Sequence, residues 1–155
     1  MTECYKTNSM HYNFKKDLQD GQQAEREAIE RLQIHFPEIS DFRQSTTKGY
    51  DIEGNFDEQR ITFEVKNDLM AHQTGNIAIE YACRGKASGL ITTTANFWIY
   101  KFDNTFFLFE TAVLREQLFI EKAYFREVTG GDEGSFTKMY LVKVVEFRKW
   151  GTELD

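Results

Sequence analysis

The stretch 97–110, FWIYKF-DN-TFFLFE, constrains this chain more than any other. Aromatic and aliphatic side chains crowd both arms, and Asp103-Asn104 between them is a dipeptide that suits a two-residue hairpin turn. The pair reads as two antiparallel strands central to the core. With 41% hydrophobic and 15% aromatic residues over 155 positions, a single domain spanning residues 1–155 has enough apolar surface to fold, and disorder is excluded for most of it.

The remaining elements follow from periodicity. Phe14, Leu18, Ala28, Ile29, Leu32 and Phe36 recur at helical spacing, with Lys15, Lys16, Glu27, Glu30 and Arg31 mainly on the other side, and Pro37 helps to end that first helix near His35. After a polar loop, ISDFRQSTTKG, the period changes to two. GYDIEGNF and RITFEVKND read as a hairpin turning near Asp57 to Gln59, with Ile61, Phe63 and Val65 on one face and Thr62, Glu64 and Lys66 on the other. NIAIEYAC reads as a third strand, and GKASGLITTTAN as a helical turn that Ser88 can cap. Thr111 can cap a second helix from Ala112 to about Arg126. TGGDEGS reads as a flexible loop, SFTKMYLVKVVEF as a long last strand, and RKWGTELD as a tail frayed apart from Trp150. The sum is a mixed α/β domain.

Charge and cysteine usage narrow the function classes. A net charge of −6 works against a generally basic nucleic-acid coat or a membrane-surface binder, so a nucleic-acid role needs local basic patches. No apolar run is long enough to cross a bilayer, and the N-terminus lacks an h-region and a small-residue cleavage site, so the expectation is a soluble, cytoplasmic protein with no membrane partner. Cys4 and Cys83 sit in no metal-binding spacing and read as reduced thiols. His11, His35 and His72 share no spacing that suggests a metal site and read as surface residues.

Three acids and a lysine stand out. Glu25 lies seven residues after Leu18 and seven before Leu32, on a stripe with Gly21, Ala28 and Ile29, so its carboxylate points towards the sheet. A buried carboxylate needs a cation, a metal or hydrogen-bond donors, and a structural ion pair or an outward-rotated helix satisfies the pattern equally. Glu64 and Lys66 share a strand face, and Asp51 on the neighbouring strand can reach them. Taken alone, Glu-x-Lys in a strand is usually a solvated face. With Asp51 it brings two carboxylates and an ammonium together, and Asp51 and Glu64 are sufficient in kind for a hard cation such as Mg²⁺. The lysine could orient an attacking water and stabilise growing phosphoryl charge, with desolvation lowering its pKa.

In their order along the chain, Gly21-x-x-x-Glu25 on a helix, Gly49-Tyr50-Asp51-Ile52 on a strand and Phe63-Glu64-Val65-Lys66 on the next resemble the PD-(D/E)XK nuclease superfamily over roughly the first two thirds of the sequence. Tyr50 stands where the superfamily's name has Pro, a position that varies widely within it. The resemblance implies a restriction-endonuclease-like fold, a central mixed β-sheet flanked by helices. It implies Asp51 and Glu64 as ligands of Mg²⁺ or Mn²⁺, Lys66 as the catalytic lysine, and Glu25 as the helical acid of resolvase-like and phage-type members. Such a compact nuclease suits a phage or a mobile element.

Glu80, sharing a strand face with Asn76, is a reserve metal ligand if its strand pairs beside Glu64; otherwise it is a solvated glutamate or a partner of Arg84. From Tyr81 through Phe102 there is no acid, while Arg84, Lys86, Ser88, Thr92 and Thr93 can bind phosphate, and Arg43 and Lys48 form a second acid-free stretch ahead of Asp51. The threonines could equally form a buried β-branched run. The expected activity is metal-dependent DNA cleavage, structure-directed or weakly sequence-specific, by a chain that could act as a homodimer. The competing class is a DNA-binding module or an acidic DNA mimic without catalysis.

Overall fold

The computed structural model describes residues 14–131 and 134–155. Cys4, His11 and the N-terminal stretch read as leader-free lie outside the described residues, as does part of the TGGDEGS loop. The first helix, α1 (Phe14–His35), forms where the apolar period places it. Its buried stripe is Ala24, Ala28 and Leu32, four residues apart, while Leu18 is 41% exposed and does not join it.

Four strands of the first sheet follow the sequence patterns closely: β2 (Ile52–Phe56), β3 (Gln59–Asn67), β6 (Phe97–Phe102) and β7 (Thr105–Glu110). Both hairpins turn on two residues with positive φ, Asp57 and Glu58 at 49° and 64°, and Asp103 and Asn104 at 51° and 58°. That is the left-handed geometry whose twist matches the flanking strands, and the short polar side chains of Asp57, Asp103 and Asn104 tolerate it. At the sheet's two edges lie β1 (Ser40–Gln44), in the segment expected to be a loop, and β10 (Thr152–Leu154), in the tail expected to fray. The strand order is β1-β2-β3-β6-β7-β10, antiparallel throughout except for the parallel central pair β3 and β6. The tail is held because Leu154 is buried and Gly151 lets the backbone approach: a Cβ there would stand 2.6 Å from the Phe109 ring.

The chain leaves β3 through a short helix, α2 (Ala71–Thr74), and enters β4 (Asn76–Cys83) and β5 (Lys86–Ala87). These join β8 (Arg126–Gly130) and β9 (Thr137–Lys143) in a second sheet of order β5-β4-β9-β8. Between β5 and β6 a single turn forms, with Thr93 N–H donating to Gly89 O at 3.0 Å. The second helix is far shorter than its pattern. α3 (Thr111–Arg115) passes into a π-helical turn, Glu116–Ile120, and Thr111 does not cap it but donates its hydroxyl to Ala95 O at 2.8 Å. The long last strand stops at Lys143 and gives way to α4 (Val144–Phe147), which buries Phe147.

Period-two alternation in β6 and β7 splits the aromatic hairpin between two cores. Ile99 and Phe106 pack with Ile52, Phe63 and Val65 under α1. Trp98, Tyr100, Phe102, Phe107 and Phe109 face the opposite way, onto Ile77, Ile79 and Val142 of the second sheet and onto Leu114, Leu118 and Phe147. The architecture is thus mixed α/β, with a central mixed sheet between a helix and a second layer. Cys83, buried at the end of β4, is disulfide-bonded, which corrects the expectation of reduced thiols. No helix among the described residues is long and apolar enough to cross a membrane.

Candidate active site

Asp51 precedes β2 by one residue, and the β2–β3 register, Ile52 against Phe63, carried one step further sets it against Glu64. Two bonds clamp it there. Its N–H donates to Phe63 O at 2.9 Å, and its Oδ2 accepts the Val65 N–H at 2.8 Å, so the aspartate brackets Glu64 on both sides. The Ser45 N–H, donating to Asp51 O at 2.8 Å, ties the same residue to the end of β1. Both acids are buried, at 8% and 7% exposure.

Lys66 lies two residues on along the same strand face, with Nζ 3.3 Å from Glu64 Oε1 and 5.4 Å from the centre of the Trp98 ring. The ring is there because β3 and β6 run parallel with Glu64 beside Trp98 and Lys66 beside Tyr100. Neither ring neighbour is legible from β3 alone. Burial disfavours the ammonium, but Glu64, Asp51 and Glu80 together outweigh it and hold Lys66 above the usual lysine value, opposite to the lowering expected from desolvation. Asp51 behaves as a crowded acid. Burial and then the Glu64 charge push its carboxyl up to about 7, against the Val65 N–H and Lys66, which pull the other way.

Glu25 reaches this centre from α1. Its Oε2 accepts a hydrogen bond of 2.9 Å from Gln44 Nε2, on the last residue of β1, beside Ile52. Burial raises its pKa and the Glu64 charge adds to the rise, so the three acids share one electrostatic neighbourhood. Sequence reasoning placed Glu25 and missed Gln44, because residues 38–48 carry no strand periodicity.

Glu80 arrives by a different route from the one expected. Its strand β4 does not pair beside β3 but belongs to the second sheet, between β5 and β9. It is 3% exposed, which rules out the solvated reading, and it shares with Lys66 and Tyr100 the lining of a cavity of about 20 Å³. Gly89 covers it: at φ +52° a Cβ would fall 2.2 Å from Glu80 O, so only glycine lets that turn close over β4.

The expected phosphate ligands divide. Lys48 and Thr92 are exposed, on loops that touch where Thr94 Oγ1 donates to Gly49 O at 3.4 Å. Arg84 and Lys86 are exposed at the β4–β5 turn. Ser88 is a correction: at 6% exposure it is inside the protein and offers nothing to a polyanion. Thr93 is half-buried, and its Oγ1 already accepts the Ala95 N–H at 3.2 Å and the Trp98 indole N–H at 3.4 Å, so its role is to brace Trp98. Arg43 stands directly across from Glu53 and pairs with it at 2.7 Å, in a cluster that Arg60 and Tyr50 complete. His35 and His72 are exposed, as expected.

Among the described residues no group of three or more His, Cys, Asp or Glu side chains is gathered so as to hold a metal ion. Mg²⁺ characteristically takes only one or two protein carboxylates, and Asp51, its carboxyl pushed up to about 7 by burial and the facing Glu64 charge, suits such a cation together with Glu64 in donor type and in charge. Compared with family models, curated proteins and solved structures, the chain matches none of them.

Proposed function

We propose that this protein is a Mg²⁺- or Mn²⁺-dependent endonuclease that hydrolyses DNA phosphodiester bonds, with a site and a fold of the restriction-endonuclease-like kind. One observation carries the reading: Asp51, Glu64 and Lys66 converge at the end of the β2–β3 hairpin away from its turn, with Glu25 beside them. A non-catalytic module has no need for facing buried acids with a lysine set against them. Asp51 and Glu64 would hold the cation, with Glu25 and Glu80 flanking. When bound, it supplies Lewis-acid stabilisation of the phosphoryl group and makes an attacking water more acidic.

The chain's own groups do the rest. Lys66, kept protonated by the surrounding acids and steered by Glu64 and the Trp98 face, is a hydrogen-bond donor for the attacking water or for a non-bridging phosphoryl oxygen as charge grows there. Gln44 fixes the carboxylate of Glu25 so that it adds negative potential at one defined place. Lys48, Arg84, Lys86 and Thr92 are exposed positions from which the phosphate backbone can be met.

The test is incubation of the purified protein with supercoiled, linear, single-stranded and four-way-junction DNA in Mg²⁺, Mn²⁺ or EDTA. Cleavage in either metal and none in EDTA is the expected result. Tight DNA binding with no cleavage in any metal would favour the module, and metal-indifferent melting with no DNA binding would favour the mimic.

A further inference from the structure

A cleft of about 630 Å³ opens at the carboxyl ends of the parallel strands β3 and β6, walled by α1, by α2 and by the β6–β7 turn. In open α/β sheets, ligands gather at the carboxyl ends of parallel strands. The cleft also adjoins the candidate active site: Asn67 and Asp68 line both it and the small cavity around Lys66 and Glu80. A substrate held at Lys66 has this space beside it.

The lining says what fits. Phosphate does not, because Asp20, Asp68 and Asp103 border the cleft, and its lysine, Lys101, is already paired with Glu27 at 3.0 Å. What the walls offer a ring is hydrogen bonding: the side-chain amides of Asn67 and Asn104 and the imidazole of His72, beside the apolar side chain of Leu69, whereas the Gln23 amide on the α1 wall is engaged with Glu27 and Arg26. Amides read the paired donor and acceptor edge of a nucleobase, and carboxylates accept from exocyclic amines. A volume of several hundred Å³ is the size class of small-ligand sites.

We infer that this cleft receives an unpaired nucleobase bearing an exocyclic amino group, next to the scissile phosphate. The proposal rests on the endonuclease reading and sharpens it: the substrate is nucleic acid with a base free to leave the stack, as in single strands, bulges or branch points, and intact duplex is the poor substrate. Thymine, which carries no amine, fits worse than adenine or cytosine because it leaves Asp20 and Asp103 without a donor.

Two measurements test it. In the first, adenosine and thymidine are titrated separately into the metal-free protein and followed by NMR of the side-chain amides. Saturable shifts at Asn67 and Asn104 with adenosine, at least threefold weaker with thymidine and abolished in Gln23→Trp, support the site; shifts elsewhere or none overturn it. Gln23 is exposed on α1, so the bulky replacement fills the cleft without entering the core.

In the second, duplexes carrying one unpaired adenine, one abasic site or no defect are cut in Mg²⁺. Cleavage at least tenfold faster beside the adenine, lost in Gln23→Trp while the abasic duplex is cut at an unchanged rate, supports the proposal. Equal rates on adenine and abasic duplexes overturn it while leaving the endonuclease reading standing. No cleavage of any substrate by the wild type overturns the endonuclease reading, with the nucleoside titration still judging the cleft by itself.

Discussion

Asp51→Asn should destroy cleavage and at the same time make the metal-free protein more stable. In the folded chain the Asp51 carboxyl titrates at about 7 instead of 3.8, through burial and the Glu64 charge. Three pKa units correspond to roughly 4 kcal/mol of opposition to folding when the group is ionised. The amide removes that opposition and keeps an oxygen for the Val65 N–H, whose help to the ionised form is already contained in that figure. The net expectation above pH 7 is a gain of about 4 kcal/mol, or on the order of 8–16 °C in melting temperature for a chain of this size.

The sign follows from proton counting. Between pH 4 and 7 the native state holds a proton on Asp51 that the unfolded state has released, so wild-type stability from this group is greatest below pH 4, falls through that window and is flat above it. Asp51→Asn lacks that fall, so the difference between the two proteins grows from near zero at pH 4 to its full value above pH 7. Denaturant unfolding in EDTA at pH 4, 5.5, 7 and 8.5 measures it, alongside cleavage in Mg²⁺, where the loss should be roughly a thousandfold or more. A mutant less stable than wild type at pH 8.5, or a difference that does not vary with pH, refutes the crowded-acid site.

Lys66→Ala leaves Glu64, Asp51 and Glu80 without their shared cation, so the metal-free protein should lose roughly 3–5 kcal/mol while Mg²⁺ still binds and restores much of it; calorimetric titration with Mg²⁺ checks this, and loss of metal binding would mean that the lysine is misassigned. Glu25→Gln should lower turnover strongly with no loss of metal-free stability, because its hydrogen-bond partner is the Gln44 amide and not a cation. A mutant destabilised by several kcal/mol that still cleaves normally when folded would make Glu25 structural. Arg84→Ala combined with Lys86→Ala should weaken DNA binding about equally for every sequence and flatten the log–log salt dependence by about 2, read by fluorescence anisotropy at several salt concentrations.

What was legible in the sequence is what neighbouring residues decide among themselves. The period-two runs at 76–83, 97–102 and 105–110 became strands at those bounds, the run at 60–68 became a strand one residue earlier, at 59–67, and Asp57-Glu58 and Asp103-Asn104 became the hairpin turns, because alternation and turn geometry are local properties. The convergence of Asp51, Glu64 and Lys66 was legible for the same reason: a hairpin joins its two strands directly, so its register follows from the turn.

Tertiary structure decided what depends on distant partners. Ser40–Gln44 and Thr152–Leu154 lack any strand pattern of their own and are strands because an open sheet edge beside β2 and β7 was waiting to be paired. The parallel pairing of β3 with β6 put Trp98 under Lys66, and the departure of β4 into a second sheet brought Glu80 to that lysine from the opposite layer. Ser88 and Arg43 looked like open phosphate ligands because a sequence records neither the turn that buries one nor the facing Glu53 that occupies the other. Burial and charge pairing are set by what lies across the fold, and only the packed chain brings those partners within reach.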